Sequence, residues 1–303
     1  MPPIITVVVV SFNTKDQLRK CLAALDSARH QVIVVDNASH DGSPDMVEQE
    51  FPTVELIRSP ENLGFGRANN LGVDHAKGDL VLFLNSDAYA QGDAIDILAL
   101  AFDDEKVVAA GGRLLNRDGS LQESIAGPLT LWNVFLEQAF LDALARRGGR
   151  GYWRTRQLPA DRISTVDQVM GACLMMRKSC QERFDERFFL YCEDTELCER
   201  LKRHGQIVYV PTAEFIHELG SSSAKNRWLS VARYNAGKEL FFEIHRGKAA
   251  SIICWMLNRK GAFLRLIAGT LTAFTAGGRQ KAAIFWRVLF ARRDQVNPLR
   301  KPQ

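Results

Sequence analysis

No two of the six cysteines, Cys21, Cys173, Cys180, Cys192, Cys198 and Cys254, form a Cys-x-x-Cys pair. A structural zinc site needs ligands at close spacing, and a disulfide framework needs many cysteines in a short secreted chain, so neither is expected. Scattered among apolar neighbours, these residues read as reduced core cysteines of a cytosolic protein. The chain also lacks an apolar run of the ~20 residues that a spanning helix requires. Residues 263–274 fall short of it and contain Arg265. Residues 4–10 are apolar but have no basic residue ahead of them, and are too short for a signal peptide with its cleavage site. Being β-branched throughout, they read as a strand.

What is present is ordinary in bulk and uneven along the chain. With 46% hydrophobic and 24% charged residues, the 303-residue chain has a globular composition. Its length suits one large domain with an appendage, or two domains. From Arg246 onward twelve Lys/Arg face a single acid, Asp294; this stretch is +11, and since the whole chain is +4, residues 1–245 carry −7. The acidic body would repel nucleic acid, and no recognition module for it is visible.

Residues 4–12 pattern as a strand and 15–25 as a helix, with Leu18, Cys21, Leu22 and Leu25 at helical spacing and Thr14 as N-cap. Further strands are expected at 32–35, 54–57 and 80–84, with helices at 44–51 and 64–76 between them. Such alternation implies a parallel sheet with right-handed crossovers. A strand order of 3-2-1-4 places the first and fourth strands side by side where the winding reverses, which is the expected nucleotide crevice. Ser11-Phe12-Asn13, Asp36-Asn37 and Asn85-Ser86-Asp87 each follow a strand's carboxyl end, so the three polar turns line one rim. Asp36 is suited to accept hydrogen bonds from a base or ribose, or else satisfies the amides of its own turn.

Residues 62–70 contain Gly64-Phe65-Gly66 at a strand-to-helix junction, but the third position of the dinucleotide fingerprint is Asn69 and the preceding strand is the third rather than the first. A helix start with Asn62, Gly64, Arg67 and Asn70 can still receive an anion. The plainer reading is a packed helix start with Arg67 in solvent. Downstream, a helix is expected at 94–102, a strand at 107–111, a hairpin turn at 116–120, an amphipathic stretch at 129–144 and an Arg/Gly-rich loop at 146–156. A strand at 169–176 contains Gly171, which lets a ligand or another backbone approach. Glu193 and Asp194 open the next helix, where carboxylates also complement the helix dipole. A strand at 206–210 follows, and His217, beside apolar residues, also reads as a core histidine.

Val-Val-Ser-Phe-Asn at 9–13, Val-Val-Asp-Asn-Ala-Ser at 34–39, Asn-Leu-Gly-Phe-Gly-Arg-Ala-Asn-Asn at 62–70, Leu-Asn-Ser-Asp at 84–87, Glu-Asp at 193–194 and His-x-x-Gly-x-Ser at 217–222 together resemble glycosyltransferase family 2. The wording is similar to its rhamnosyltransferase branch, which builds bacterial cell-surface polysaccharides. The resemblance covers roughly residues 4–223 and implies a GT-A fold, an α/β architecture with a Rossmann-like, mostly parallel sheet flanked by helices. It also implies an inverting sugar transfer from a nucleotide-sugar donor (a dTDP- or UDP-sugar, with dTDP-rhamnose foremost) to a hydroxyl of a lipid-linked or oligosaccharide acceptor. Carried over position by position, Ser11, Asn13, Asp36, Asn62, Gly64, Arg67, Asn70 and Asn85 would bind the donor. Asp87 and His217 would hold Mg²⁺ or Mn²⁺, and Asp194, with Glu193 beside it, would be the general base. Asn85 stands where the family's Asp-x-Asp motif has its first acid, so metal affinity without the nucleotide should be weak. A nucleotidyltransferase on a similar sheet, or a catalytically silent nucleotide-sugar-binding scaffold, remains open.

Residues 1–223 are thus expected to form the GT-A domain and 224–303 a basic, amphipathic helical region. Apolar blocks at 251–257, 263–274 and 282–290 alternate with basic residues, the composition of helices lying on an anionic leaflet. A helical hairpin packed on the protein, or a homo-oligomer interface, is the alternative. The membrane reading implies a peripheral enzyme on the inner face of the cell membrane.

Overall fold

The computed structural model describes residues 4–147, 151–218 and 226–299. The chain divides into two compact units, the first Met1–Gly127, Trp153–Glu186 and Asp194–Leu219, the second Pro128–Tyr152, Arg187–Glu193 and Gly220–Gln303. Two internal segments that the sequence pattern assigns to the α/β body therefore group with the C-terminal region.

In the first unit β1 (Ile5–Ser11), α1 (Lys15–Ala23), β2 (Gln31–Asp36), α2 (Ser43–Glu50), β3 (Glu55–Arg58), α3 (Phe65–Asp74) and β4 (Leu80–Asn85) follow in turn. The strands are parallel in the expected order β3-β2-β1-β4. Then come β5 (Ala88–Ala90), α4 (Ala94–Leu100), β6 (Val107–Leu115), β7 (Ile125–Ala126), β8 (Ser164–Val166), β9 (Gln168–Val169), β10 (Cys173–Arg177), α7 (Glu193–Leu201) and β11 (Gln206–His217). The sheet runs on from β4 through β10, β6, β11 and β5, with β8 paired to β11 and β7 to β9 apart. β10 is antiparallel to both its neighbours, and β11 is parallel to β6.

The run of β-branched residues in β1 is buried on both faces, as a central parallel strand must be. Val7 and Val9 pack with Leu18, Cys21 and Leu22 of α1 and with Ile95 and Leu98 of α4. Val8 faces the other way, toward Ala68 and Val73 of α3 and Leu197 and Cys198 of α7. Each such fully buried Val or Leu stabilises the fold by roughly 1.5–3 kcal/mol. Gly72 lets α3 settle on the sheet, since a Cβ there would lie 2.4 Å from Val8 Cγ1.

Three expectations change. The strand begun at Gln206 does not stop at 210; it passes Pro211 on a register shift between Val210 and Glu214 and ends at His217, a bulge being where a strand tolerates proline. The strand expected at 169–176 is split into β9 and β10 around residues 170–172. The amphipathic stretch at 129–144 is two helices, α5 (Leu131–Gln138) and α6 (Asp142–Arg147), separated by Phe140 with φ 63°.

The second unit holds α5, α6, α8 (Arg227–Leu271), α9 (Ala276–Leu289) and α10 (Arg293–Val296). α8 is a hairpin, broken at Gly247 (φ 82°, ψ 170°) into arms 227–246 and 248–271. The second arm returns along the first, with Ser251 Oγ donating to Glu239 O (2.9 Å) and Asn258 Nδ2 to Asn235 O (3.3 Å). Lys238 is fully buried, its ammonium 2.9 Å from Glu137 Oε2 of α5 and over the Tyr234 ring. Part of the basic face is likewise used internally, because Arg259 donates to Val288 O and Arg265 to Gln138 Oε1. Among the described residues no helix is long and apolar enough to cross a membrane.

Candidate active site at the carboxyl rim of the sheet

Register makes the rim. Ser11 lies beside Asp36, and Val10 beside Asn85, so the ends of β1, β2 and β4 stand level. Hydroxyls tie them together, with Ser11 Oγ 3.2 Å from Thr14 Oγ1, which is 2.9 Å from Ser86 Oγ. Thr14 therefore does not cap α1 with its side chain; Asp41 Oδ2 accepts from Lys15 N instead (2.8 Å). Asn13, at φ 53°, donates its N–H to Ser39 Oγ and accepts from His40 N, pinning the first turn to the second.

Asp36 is 3% exposed, and its Oδ2 accepts from Ser39 N (3.0 Å). Its Oδ1 is buried with no partner among the described residues. A carboxylate oxygen left so is costly unless a ligand donates to it. Asn62, Gly64 and Asn70 are committed to the fold. Asn62 Oδ1 accepts from Asn37 Nδ2 and Gly64 N, while Gly64 needs φ 82° to start α3. Asn70, 4% exposed, clamps the backbone N–H and C=O of Phe184. Gly66 makes room for Phe184, 3.0 Å from where a Cβ would be, and Arg67 Nε is 3.4 Å from Glu186 Oε2.

The β4 turn meets the far end of β11. His217 pairs across from Ala88, which brings its Nε2 to 3.3 Å from both Asp87 Oδ1 and Asn85 Nδ2. Gln122, buried and not foreseen from the sequence, sets the state of the ring. Its Nε2 donates to Asn116 Oδ1 (2.9 Å) and His217 O (3.2 Å). Its Oε1, 2.7 Å from His217 Nδ1, is left to accept, so Nδ1 carries the proton and Nε2 keeps its lone pair. That lone pair accepts from Asn85 Nδ2 and lies 3.3 Å from the Asp87 carboxylate, so two electron-rich groups share one edge that a cation could join. Among the described residues no group of three or more His, Cys, Asp or Glu is placed to hold a metal. Asp87 and His217 alone are two ligands of the kind a hard divalent cation accepts, so a cation there would need its remaining ligands from substrate phosphates and water. Glu218 follows His217 and carries Arg117 and Lys20; the hydrogen bond from Arg117 holds its carboxyl below the usual range. Gly220 and Ser222 of the expected motif lie outside the described residues.

Asp194 reaches the same rim through the turn that precedes β10. Its Oδ2 accepts from Gly171 N (2.9 Å) and its Oδ1 from Thr195 N (2.8 Å). The next carbonyl, Ala172 O, accepts from Asn85 N (3.1 Å). Gly171 permits this approach, because a Cβ there would be 3.2 Å from Asp194 Cβ. Burial pushes the Asp194 carboxyl above the usual carboxylate range although both amides pull the other way. Glu193, the first residue of α7, is 5% exposed and groups with the second unit. The arrangement offers a polar rim, a cation-seeking pair and a carboxylate raised toward use as a base.

Comparison with known proteins fits this geometry. The model of the family described as "Glycosyl transferase family 2" matches residues 6–184. The N-acetylglucosaminyl-diphospho-decaprenol L-rhamnosyltransferase of Mycobacterium tuberculosis is 28% identical over 279 residues, covering 85% of this chain and 90% of that protein. The rhamnosyltransferase WbbL of Escherichia coli is 29% identical over 230 residues, covering 70% and 82%. Among solved structures, the mannosyltransferase PcManGT from Pyrobaculum calidifontis in complex with GDP-Man and Mn²⁺ shares the fold at TM-score 0.54 and 14% identity, covering 95% and 86%.

Proposed function

The chain belongs to glycosyl transferase family 2, in its rhamnosyltransferase-like branch, and from that premise we propose that it transfers L-rhamnose from dTDP-rhamnose, with inversion, to a hydroxyl of a polyprenyl-diphosphate-linked sugar. The observation that carries this reading is the convergence of Asp87, Asn85 and His217 at 3.3 Å, joined to Asp194 through Gly171 and Ala172.

Asp36 Oδ1 takes a hydrogen bond from the donor's base or ribose. Asp87 and His217 are the residues that would hold Mg²⁺ or Mn²⁺, which when bound neutralises charge on the departing nucleoside diphosphate. Asn85 contributes an amide there and no charge. Asp194 accepts the proton of the acceptor hydroxyl as its oxygen bonds to the anomeric carbon. The bond from that carbon to the diphosphate breaks and its electron pair leaves with the nucleotide. One displacement from the opposite face inverts the configuration, and no sugar is bound to the enzyme on the way.

The second unit supports a place at the inner face of the cell membrane. Leu271, Phe274, Trp286 and Phe290 are each more than half exposed, with Arg279 and Arg287 exposed among them. Such a mixture suits an anionic interface.

The test is a panel of sugar nucleotides, each with and without EDTA, with a short-chain prenyl diphosphate-linked N-acetylglucosamine as acceptor. Thermal stabilisation and nucleoside diphosphate release are scored together. The expected result is selective stabilisation and turnover by dTDP-rhamnose, abolished by EDTA; release of pyrophosphate, or turnover indifferent to EDTA, refutes the reading.

A further inference from the structure

The second unit contains a cavity of about 340 Å³, within the range of small-ligand sites. One wall is the segment 188–191, and the others are the two arms of α8 near Arg233, Glu243 and Trp255 together with Val296 and Asn297. Its apolar lining combines the aromatic Phe188, Phe189, Tyr191 and Trp255 with aliphatic Leu190, Leu240, Ile252 and Val296. Its charged groups are Arg233, Glu239 and Glu243, two carboxylates to one cation, with Glu239 Oε1 also accepting from Asn258 Nδ2 (3.0 Å). Arg233 is held in place, its guanidinium 4.6 Å from the Phe189 ring centre and its Nε donating to Val296 O (3.1 Å).

The wall is kept in a strained form. Tyr191 and Cys192 both adopt left-handed backbone, φ 75° and 69°, which for side-chain-bearing residues persists only where surroundings enforce it. Gly237 lets α8 lie close against this wall, because a Cβ there would lie 2.5 Å from Tyr191 O. Tyr234 adds an edge-on contact to Tyr191, and its carbonyl accepts from Cys192 Sγ (3.8 Å).

The lining chooses among ligands. A nucleoside diphosphate or other polyanion is disfavoured by the excess of carboxylate. A sugar ring presents C–H faces to aromatic rings and hydroxyl donors to carboxylates, and hydrogen bonds to ionised acceptors are the strong ones. Ile252 and Trp255, at the cavity, are 56% and 42% exposed, next to exposed Ile253 and Met256. A ligand entering there crosses an apolar surface before it meets the charged groups, so it is amphiphilic.

We propose that this cavity binds the neutral sugar ring of an amphiphilic glycoside, with the apolar chain lying over Ile252, Trp255 and Met256. This binding goes beyond the transferase reading and does not rest on it, since the carboxylates would repel the diphosphate of that reaction's acceptor. Octyl N-acetyl-β-D-glucosaminide, below its micelle concentration, is titrated calorimetrically into the full chain, into Glu243→Gln and into Trp255→Ala, both altered at exposed positions, with octyl tetraethylene glycol as a sugar-free control. The expected result is binding of the glycoside and not of the control, weakened at least about tenfold by either substitution, with dTDP affinity unchanged in both variants. Absence of glycoside binding, equal binding by all three proteins, or equal binding of the sugar-free control overturns the proposal. If the glycoside binds as expected and no sugar nucleotide does, the transferase reading fails and the cavity stands.

Discussion

Replacing Gln122 with methionine keeps the length of the side chain and removes the acceptor 2.7 Å from His217 Nδ1. His217 is 4% exposed, so its N–H loses its partner away from water. A buried unsatisfied donor costs about 1–3 kcal/mol. The imidazole escapes part of that by moving its proton to Nε2, where Asp87 Oδ1 at 3.3 Å accepts it. That tautomer has no lone pair for a cation. Loss of such an orienting partner typically lowers metal affinity or activity ~10–100-fold. The assay is nucleoside diphosphate release against Mn²⁺ concentration, with melting curves run in parallel. Gln122→Met is expected to need roughly 10–100-fold more Mn²⁺ for half-maximal rate, with partial recovery at saturation. Gln122→Glu restores an acceptor for Nδ1 and falls between the two. A lower melting temperature with an unchanged Mn²⁺ requirement refutes the reasoning, since Gln122 would then only fill space.

Asp194→Asn is expected to lower kcat by ~10²–10⁴-fold at unchanged nucleotide affinity; full turnover would remove Asp194 as base. Because burial raises the Asp194 carboxyl and a base works only when ionised, the wild-type rate should climb with pH along a limb displaced upward from an ordinary aspartate's ~3.9. A limb at the ordinary value counts against the assignment. Asn85→Asp adds a charge beside Asp87 and should tighten Mn²⁺ binding in the absence of nucleotide, read by isothermal titration; unchanged affinity means position 85 does not face the cation. Gly72→Ala pushes a methyl into Val8 and should destabilise the first unit by about 1–3 kcal/mol, seen as a lowered melting temperature, and a neutral effect would show that α3 shifts freely. In flotation with anionic vesicles at low salt the full chain should rise with the lipid, and Phe274→Glu with Trp286→Glu should weaken this by about tenfold or more. Equal flotation would clear those side chains of a membrane role.

The rim was legible because each of its strands announces its own end. Val7-Val8-Val9-Val10 before Ser11 and Leu82-Phe83-Leu84 before Asn85 switch from apolar to polar at one residue, and the winding rule then aligns the switches. Gln122 carried no such mark. Its role arises because β11 runs past Pro211 to put His217 opposite Ala88, a pairing between residues 129 positions apart in the chain. The Gly-x-Gly at 64–66, which does not meet the dinucleotide fingerprint, has a packing reason, since Gly66 is small for the sake of Phe184, a neighbour that local sequence does not reveal. Basic residues of the second unit are partly used inside it. Lys238 pairs with Glu137 and Arg259 and Arg265 turn to carbonyls and amides within their own unit, which composition counts as surface charge.

By itself the sequence determined the order of strands and helices, the polar ends of the central strands and the family, because periodicity and strand-end chemistry are local along the chain. Only the tertiary structure decided which nitrogen of His217 holds the proton, that Gly171 delivers Asp194 to the rim, and that Phe189 and Tyr191 wall a cavity. Each depends on distances between residues that covalent order leaves far apart, and those distances are fixed by packing alone.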